Sequence, residues 1–213
     1  MRDMATNRID GNLQVSGNLQ VDGQLLPAQS RSFLAQDNFA IYGIPFSDLR
    51  IWDAFQTPIT TAASDDLGLS TGGTYGTHAP YISAGDLKNA GATTRRARFL
   101  FTLPPEYVAA ESVRLSAIAG MITSVASTSC TIDFEAYEVS NDGNVTGSDL
   151  VTTAAVTMNS LTFSEKAFDL TATGLLAGDT LDIRVSIVCT DSATATAVIP
   201  AIAALRMQLD IKG

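Results

Sequence analysis

From Thr94 onward the chain alternates apolar and polar positions with a period of two. Ala97, Phe99, Phe101 and Leu103 share one set of alternate positions, followed by Val113, Leu115, Ala117 and Ala119, and then by Cys130, Ile132, Phe134 and Ala136. The same pattern returns at Leu181, Ile183, Val185, Ile187 and Cys189, and again at Leu205, Met207, Leu209 and Ile211. Side chains two apart on an extended chain point the same way, so each run predicts a strand with one face against a core. Weaker strands are expected over Val151–Met158 and around Phe168 and Leu170. Pro104-Pro105, the Ser-Asn-Asp-Gly-Asn stretch at 140–144 and Ala177-Gly178-Asp179 supply the breaks and reversals between runs. Strands at this spacing with no helical pattern between them predict an antiparallel β-sandwich over 94–213. The pattern leaves open whether the connections form a jelly roll or another Greek key.

A second, shorter period marks the amino end. Residues 9–26 read Ile-Asp-Gly-Asn-Leu-Gln-Val-Ser-Gly-Asn-Leu-Gln-Val-Asp-Gly-Gln-Leu-Leu, a six-residue unit written almost three times. Gly11, Gly17 and Gly23 hold one phase, Leu13, Leu19 and Leu25 a second, and Val15 and Val21 a third. Leu and Val within a unit lie two apart and share one strand face. So few units cannot cover their own apolar face within one chain, because each layer of a stacked β structure needs neighbours. Winding copies of the segment around a common axis resolves this. The repeat therefore predicts a homotrimer with Leu13, Val15, Leu19, Val21 and Leu25 at its interface. Pro27 ends the ladder by removing a backbone donor.

Three regions follow: a β-repeat attachment segment at 1–29, an extended arm at 30–93 and the sandwich at 94–213. The arm has no sustained period. It begins with aromatics (Phe33, Phe39, Tyr42, Phe46, Trp52, Phe55) and turns to Gly, Ser and Thr between Thr60 and Gly91. A structureless stretch of this length is uncommon in a compact domain, and one so aromatic is no solvated linker. It is expected to pack along the following domain or a neighbouring chain, with one or two short strands or helical turns.

Composition narrows the function. Charged residues make up 16% of the 213-residue chain and the formal net charge is −9, which argues against a nucleic-acid ligand, since phosphate binding needs clustered Lys and Arg. No apolar stretch is long enough to cross a bilayer as a helix, and Met-Arg-Asp-Met-Ala-Thr-Asn-Arg lacks the apolar core of a signal peptide. Synthesis in the cytoplasm, without a cleaved signal, is the expectation. Cys130 and Cys189 fall in apolar strand positions and read as reduced core thiols.

Catalytic chemistry finds few candidates. His78 is the single histidine, in a Gly-Gly-Thr-Tyr-Gly-Thr-His-Ala-Pro loop, and no nucleophile elbow exists to pair with it. One histidine and two core cysteines leave no zinc-type cluster. Asp65-Asp66 and the Asn141, Asp142, Asn144 turn lack the spacing of an EF-hand loop and read as turn formers and caps. Asp133 and Glu135 mark the outward face of the strand that carries Ile132 and Phe134. No cofactor and no enzymatic activity are expected. The Arg95-Arg96-Ala97-Arg98 cluster is the densest positive charge and reads either as a contact with an acidic partner or as a solvent-facing strand start. The aromatics from Phe33 to Phe55 could form a carbohydrate platform, but exposed aromatics are costly unless covered, which points to core or interface packing.

The repeat from Gly11 to Leu25, the aromatic arm and the alternating sandwich together resemble virion proteins of tailed bacteriophages. The repeat looks like those that precede the heads of trimeric phage fibres, and the carboxy-terminal 120 or so residues are similar in character to the jelly-roll domains of trimeric capsid cement, or decoration, proteins. The resemblance implies a trimer on the outer surface of an icosahedral head, synthesised in the host cytoplasm. Its partners would be the major capsid protein and neighbouring cement trimers, with no nucleic acid and no membrane. Phe33, Phe39, Tyr42, Phe46, Trp52, Phe55, Arg95 and Arg96 are then the candidates for capsid or neighbour contact. A short head or tail fibre with a receptor-binding sandwich is the alternative. A carbohydrate-binding module or small β-sandwich hydrolase is a third possibility, disfavoured by the absence of a nucleophile–base pair and of any surplus of Trp and Tyr.

Overall fold

The computed structural model describes residues 39–140 and 142–212. The six-residue repeat, its interface positions Leu13, Val15, Leu19, Val21 and Leu25, and Phe33 lie outside these residues. In chain order the strands are β1 (Phe39–Gly43), β2 (Gly68–Ser70), β3 (Tyr81–Ser83), β4 (Gly91–Thr102), β5 (Val113–Met121), β6 (Ser129–Val139), β7 (Val145–Thr146), β8 (Val156–Thr157), β9 (Ser164–Leu170), β10 (Thr180–Asp191) and β11 (Pro200–Asp210). A single 3-10 turn, Phe46–Asp48, is the one helical element among the described residues.

The protein is all-β, built as a sandwich of two antiparallel sheets. The first sheet runs β2-β3-β11-β5-β9, with β1 also on β11; the second runs β4-β10-β6-β7, with β8 also on β6. Each successive long strand from β4 to β6, and from β9 to β11, crosses from one sheet to the other, which is the alternation of a jelly roll. The periodicity in the sequence does the work. In β10, Leu181, Ile183, Val185, Ile187 and Cys189 are wholly buried between the sheets, while Arg184, Thr190 and Val188 face out. Phe134 of β6 and Phe168 of β9 meet edge to face across the sandwich, with ring centroids 4.9 Å apart. Tyr42 and Phe101 make a second such crossing at 6.0 Å.

Residues 39–93, expected as an extended arm packed along the following domain or a neighbouring chain, supply three short strands to the first sheet. The described residues, from Phe39 onward, form one compact unit with no break at Thr94. β1, β2 and β3 all enter the first sheet. β11 pairs with β3 through Ala201 and Ile202, shifts register at a bulge between Ile202 and Ala204, and then pairs with β1 from Arg206 to Asp210. The bulge thus coincides with the exchange of one edge partner for another. These strands were hidden because β1, Phe-Ala-Ile-Tyr-Gly, is apolar at four consecutive positions, and β2 and β3 span three residues each.

The end of the sandwich next to the last residue of β10 is tied by one carboxylate. Asp191 is fully buried. Its Oδ1 accepts from the Ser127 N–H (2.7 Å) and the Thr194 hydroxyl (2.5 Å), and its Oδ2 accepts from the Asn89 N–H (2.8 Å). Burial alone would raise this carboxyl, but the hydrogen bonds from Thr194, Asn89 and Ser127 outweigh it and hold the group well below the usual carboxylate range. Asp86, beside it, accepts from the backbone of Val198 at 3.0 Å and Lys88 at 3.1 Å. Three loops are therefore fixed by two acidic side chains.

Candidate functional site

β4 is an edge strand of the second sheet, and its free side is covered by irregular chain from the former arm. Arg50 and Arg98 exchange backbone hydrogen bonds (2.8 and 3.0 Å), and Arg96 bonds to Asp65 and Leu67 (2.7 and 2.8 Å). An uncovered edge would invite pairing with another chain, and this segment removes that possibility over the middle of β4. Leu49 and Ile59, buried at either side, anchor the loop between them.

That anchoring delivers Trp52 and Phe55 to the outer face of the second sheet. There, β4 presents Arg96 and Arg98, β10 presents Asp182, Arg184 and Ser186, and β6 presents Asp133, Glu135 and Tyr137. The register aligns them in cross-strand rows: Arg98, Arg184 and Glu135 in one, Arg96, Ser186 and Asp133 in the next. The Arg96 and Arg184 guanidinium carbons lie 5.1 and 5.5 Å from the Trp52 ring, and Arg98 lies 5.2 Å from the Phe55 ring. These are cation–π distances. The indole N–H donates to Asp65 Oδ2 at 2.9 Å, and Arg96 reaches the same oxygen at 3.6 Å.

Each guanidinium also has a carboxylate. Arg98 forms a two-point pair with Asp182, its Nε 2.6 Å from Oδ1 and its Nη2 on Oδ2. Hydrogen bonding to Asp182 raises the Arg98 pKa further, so its charge is fixed. Arg184 pairs through Nη2 with Glu135, while its buried Nε has no acceptor among the described residues. Burial, with Glu135 and Asp149 nearby, raises both Asp133 and Tyr137 above their usual values. The result is a rigid aromatic–guanidinium platform whose charges are balanced in place. It holds fixed charge and half-covered aromatic surface, the composition of a contact face.

The structure thus brings together Trp52, Phe55 and Arg96 from the sequence-derived candidates. The other described candidates go elsewhere. Arg95 lies on the opposite face of β4, its buried Nε unpartnered among the described residues. Tyr42 and Phe46 pack against the core, and Phe39 is 58% exposed on β1. Phe39 instead borders a shallow concavity of about 240 Å³ with Ser112, Arg114, Asp169 and Gln208, in which Arg114 Nε meets Asp169 Oδ1 at 2.6 Å. Arg184 and Asp182 were missed as site residues. The alternation Asp182, Arg184, Ser186 on one face of β10 was visible, but its alignment with the Arg cluster depends on pairing across more than 80 residues. His78 sits exposed in its loop, its N–H bonded to Thr74 O at 3.2 Å. Asp142 closes the 140–144 turn, accepting from the Ser140 hydroxyl and the Asn144 N–H.

No family model matches the chain, and no curated protein matches it in sequence. Among solved structures it is similar to the CBM22-1 xylan-binding domain of Xyn10C from Paenibacillus barcinonensis, at 11% identity over 81% of this chain and 95% of that one, with a TM-score of 0.39. The mannan-recognising module TmCBM27 gives 12% identity over 81% and 99%, with a TM-score of 0.39. The enzymatically active domain of tailspike protein 4 from bacteriophage CBA120 gives 10% over 83% of this chain and 20% of that one, at 0.38. At these identities and TM-scores the likenesses say nothing of what the chain binds or does.

Proposed function

We propose that the protein is a non-catalytic structural component of a tailed-bacteriophage virion, a trimeric cement protein that bridges capsid subunits at the outer surface of the head. The observation that carries this reading is the Gly-Asn-Leu-x-Val-x repeat at the amino end, whose apolar face is too short to be satisfied within one chain. The platform on the second sheet supports it. Trp, Phe and Arg clustered on a rigid face, with charges already neutralised in fixed pairs, suit a protein–protein contact, where such residues dominate binding energy. Cement acts by adding buried interface at subunit junctions, and no group in the platform needs to change its bonding for that task.

The test compares phage particles with and without this protein. Heads lacking it should rupture at lower temperature or internal pressure while assembly and host attachment persist. Complete particles should carry hundreds of copies. A second reading, a short fibre with a receptor-binding sandwich, draws on the same half-covered Trp52 as an anchor for a receptor group. Loss of adsorption with unchanged head stability, or a copy number of a few tens, would replace the first reading with the second.

A further inference from the structure

Cys130 and Cys189 are the two cysteines of the chain, and the fold sets them face to face. They are direct register partners on β6 and β10. Directly opposed residues of an antiparallel pair have Cα atoms about 4.5–5.5 Å apart, inside the window of about 4.4–6.8 Å that a disulfide spans. Both side chains point into the core from the same sheet, and both are wholly buried as free thiols.

We infer that Cys130 and Cys189 form a latent cross-strand disulfide site, which a low-molecular-weight disulfide such as oxidised glutathione closes into a covalent tie between β6 and β10. One protein thiol loses its proton, and its thiolate attacks a sulfur of glutathione disulfide, releasing one glutathione thiolate that takes up a proton. The second protein thiolate then attacks the protein sulfur of the mixed disulfide and expels the second glutathione. Two protein S–H bonds and one glutathione S–S bond are lost. One protein S–S bond and two glutathione S–H bonds form, so the protein gives up two electrons and two protons.

The position of the pair explains how a buried site can react. Cys130 is the second residue of β6, and a single outer register pair, Ser129 with Thr190, separates the cysteines from the loops beyond. Strand ends open locally far more often than whole domains unfold. While that end is closed, burial disfavours the thiolate form at both positions. Asp191 closes the same end through Ser127, Thr194 and Asn89, and so gates the reaction. This inference is independent of where the protein acts.

Purified full-length protein incubated with oxidised glutathione tests it, read by intact mass and peptide mapping under non-reducing conditions. The expected product is a chain two protons lighter with a Cys130–Cys189 cross-linked peptide and a higher thermal midpoint, reversed by reductant. Asp191→Asn should react faster than the wild type and reach the same product, while Cys189→Ser should stop at the mixed disulfide. A glutathione adduct that persists on the wild-type chain, cross-links between chains, or a lower thermal midpoint in the oxidised form would each overturn it. So would no reaction in mild denaturant at the onset of unfolding, a condition that does not depend on any variant folding.

Discussion

Replacing Trp52 with Ala removes the keystone of the platform, and the loss can be worked out from its contacts. Two guanidiniums lie 5.1 and 5.5 Å from the ring, and at a half-exposed site each such contact contributes about 0.5–1 kcal/mol. The indole N–H donates to Asp65 at 2.9 Å, and a hydrogen bond to a charged acceptor contributes about 1.5–3 kcal/mol. The low end applies, because the Asp65 side chain is 46% exposed and water can replace the lost donor. The sum is about 2.5–3.5 kcal/mol of destabilisation for Trp52→Ala. Trp52→Phe keeps a ring over the guanidiniums and loses the donor, so it should cost about 1.5 kcal/mol. Denaturant unfolding followed by far-ultraviolet circular dichroism gives both values without relying on fluorescence. Trp52 is the single tryptophan of the chain, so its emission in the intact protein should shift in Asp65→Asn, which leaves the ring but weakens the bond. A double-mutant cycle between the two positions should show coupling of about 1 kcal/mol. A Trp52→Ala cost below about 0.5 kcal/mol, the level of an unremarkable surface substitution, would mean that the indole only rests on the sheet, and the platform argument would fall.

The acidic clamp predicts pH dependence. The folded Asp191 carboxyl is depressed, so its stabilisation is present above the unfolded value near pH 4 and is lost as pH falls toward the folded one; thermal midpoints below pH 4 should drop steeply in the wild type and less so in Asp191→Asn, and parallel curves would refute the clamp. Phe134→Ala removes a fully buried ring that links the two sheets and should cost about 3–5 kcal/mol by chemical denaturation; a cost under about 1 kcal/mol would show that the sheets are not joined there. Leu13→Asp with Leu19→Asp should convert a trimer to monomers in sedimentation by placing unpaired charge beside its own symmetry copies, and a wild-type protein that sediments as a monomer at micromolar concentration would remove the basis of that prediction.

What could be read from the sequence depended on how local the signal was. β5, β6, β10 and β11 each carry four or more alternating apolar positions and β4 carries three, Ala97, Phe99 and Phe101, and these alone dictate a one-sided strand. β1 escaped because alternation vanishes where both faces of a strand are apolar, and β2 and β3 escaped because three residues hold no period. The boundary expected at Thr94 reflected the end of legible alternation, whereas the packing of Leu49, Leu67 and Ile82 carries the same core across it. The site divides in the same way. Trp52, Phe55 and Arg96 were marked by residue type, but the contact of Trp52 with Arg184 requires strand pairing and a covered edge, neither of which is encoded within a window of neighbours.

The pairing of β11 has a consequence for how the molecule is made. β11 lies at the centre of the first sheet, flanked by β5 on one side and by β1 and β3 on the other. Synthesis runs from the amino end, so every neighbour of this strand leaves the ribosome before the strand itself does. Until residues 200–210 emerge, the edges of β1, β3 and β5 that they will occupy stay unpaired, with their apolar faces uncovered. The first sheet therefore cannot be assembled progressively, layer upon layer. It closes in one late event, with β1 and β11 brought together across more than 160 residues of intervening chain, so slow folding and a long exposure to aggregation are built into the order of the strands.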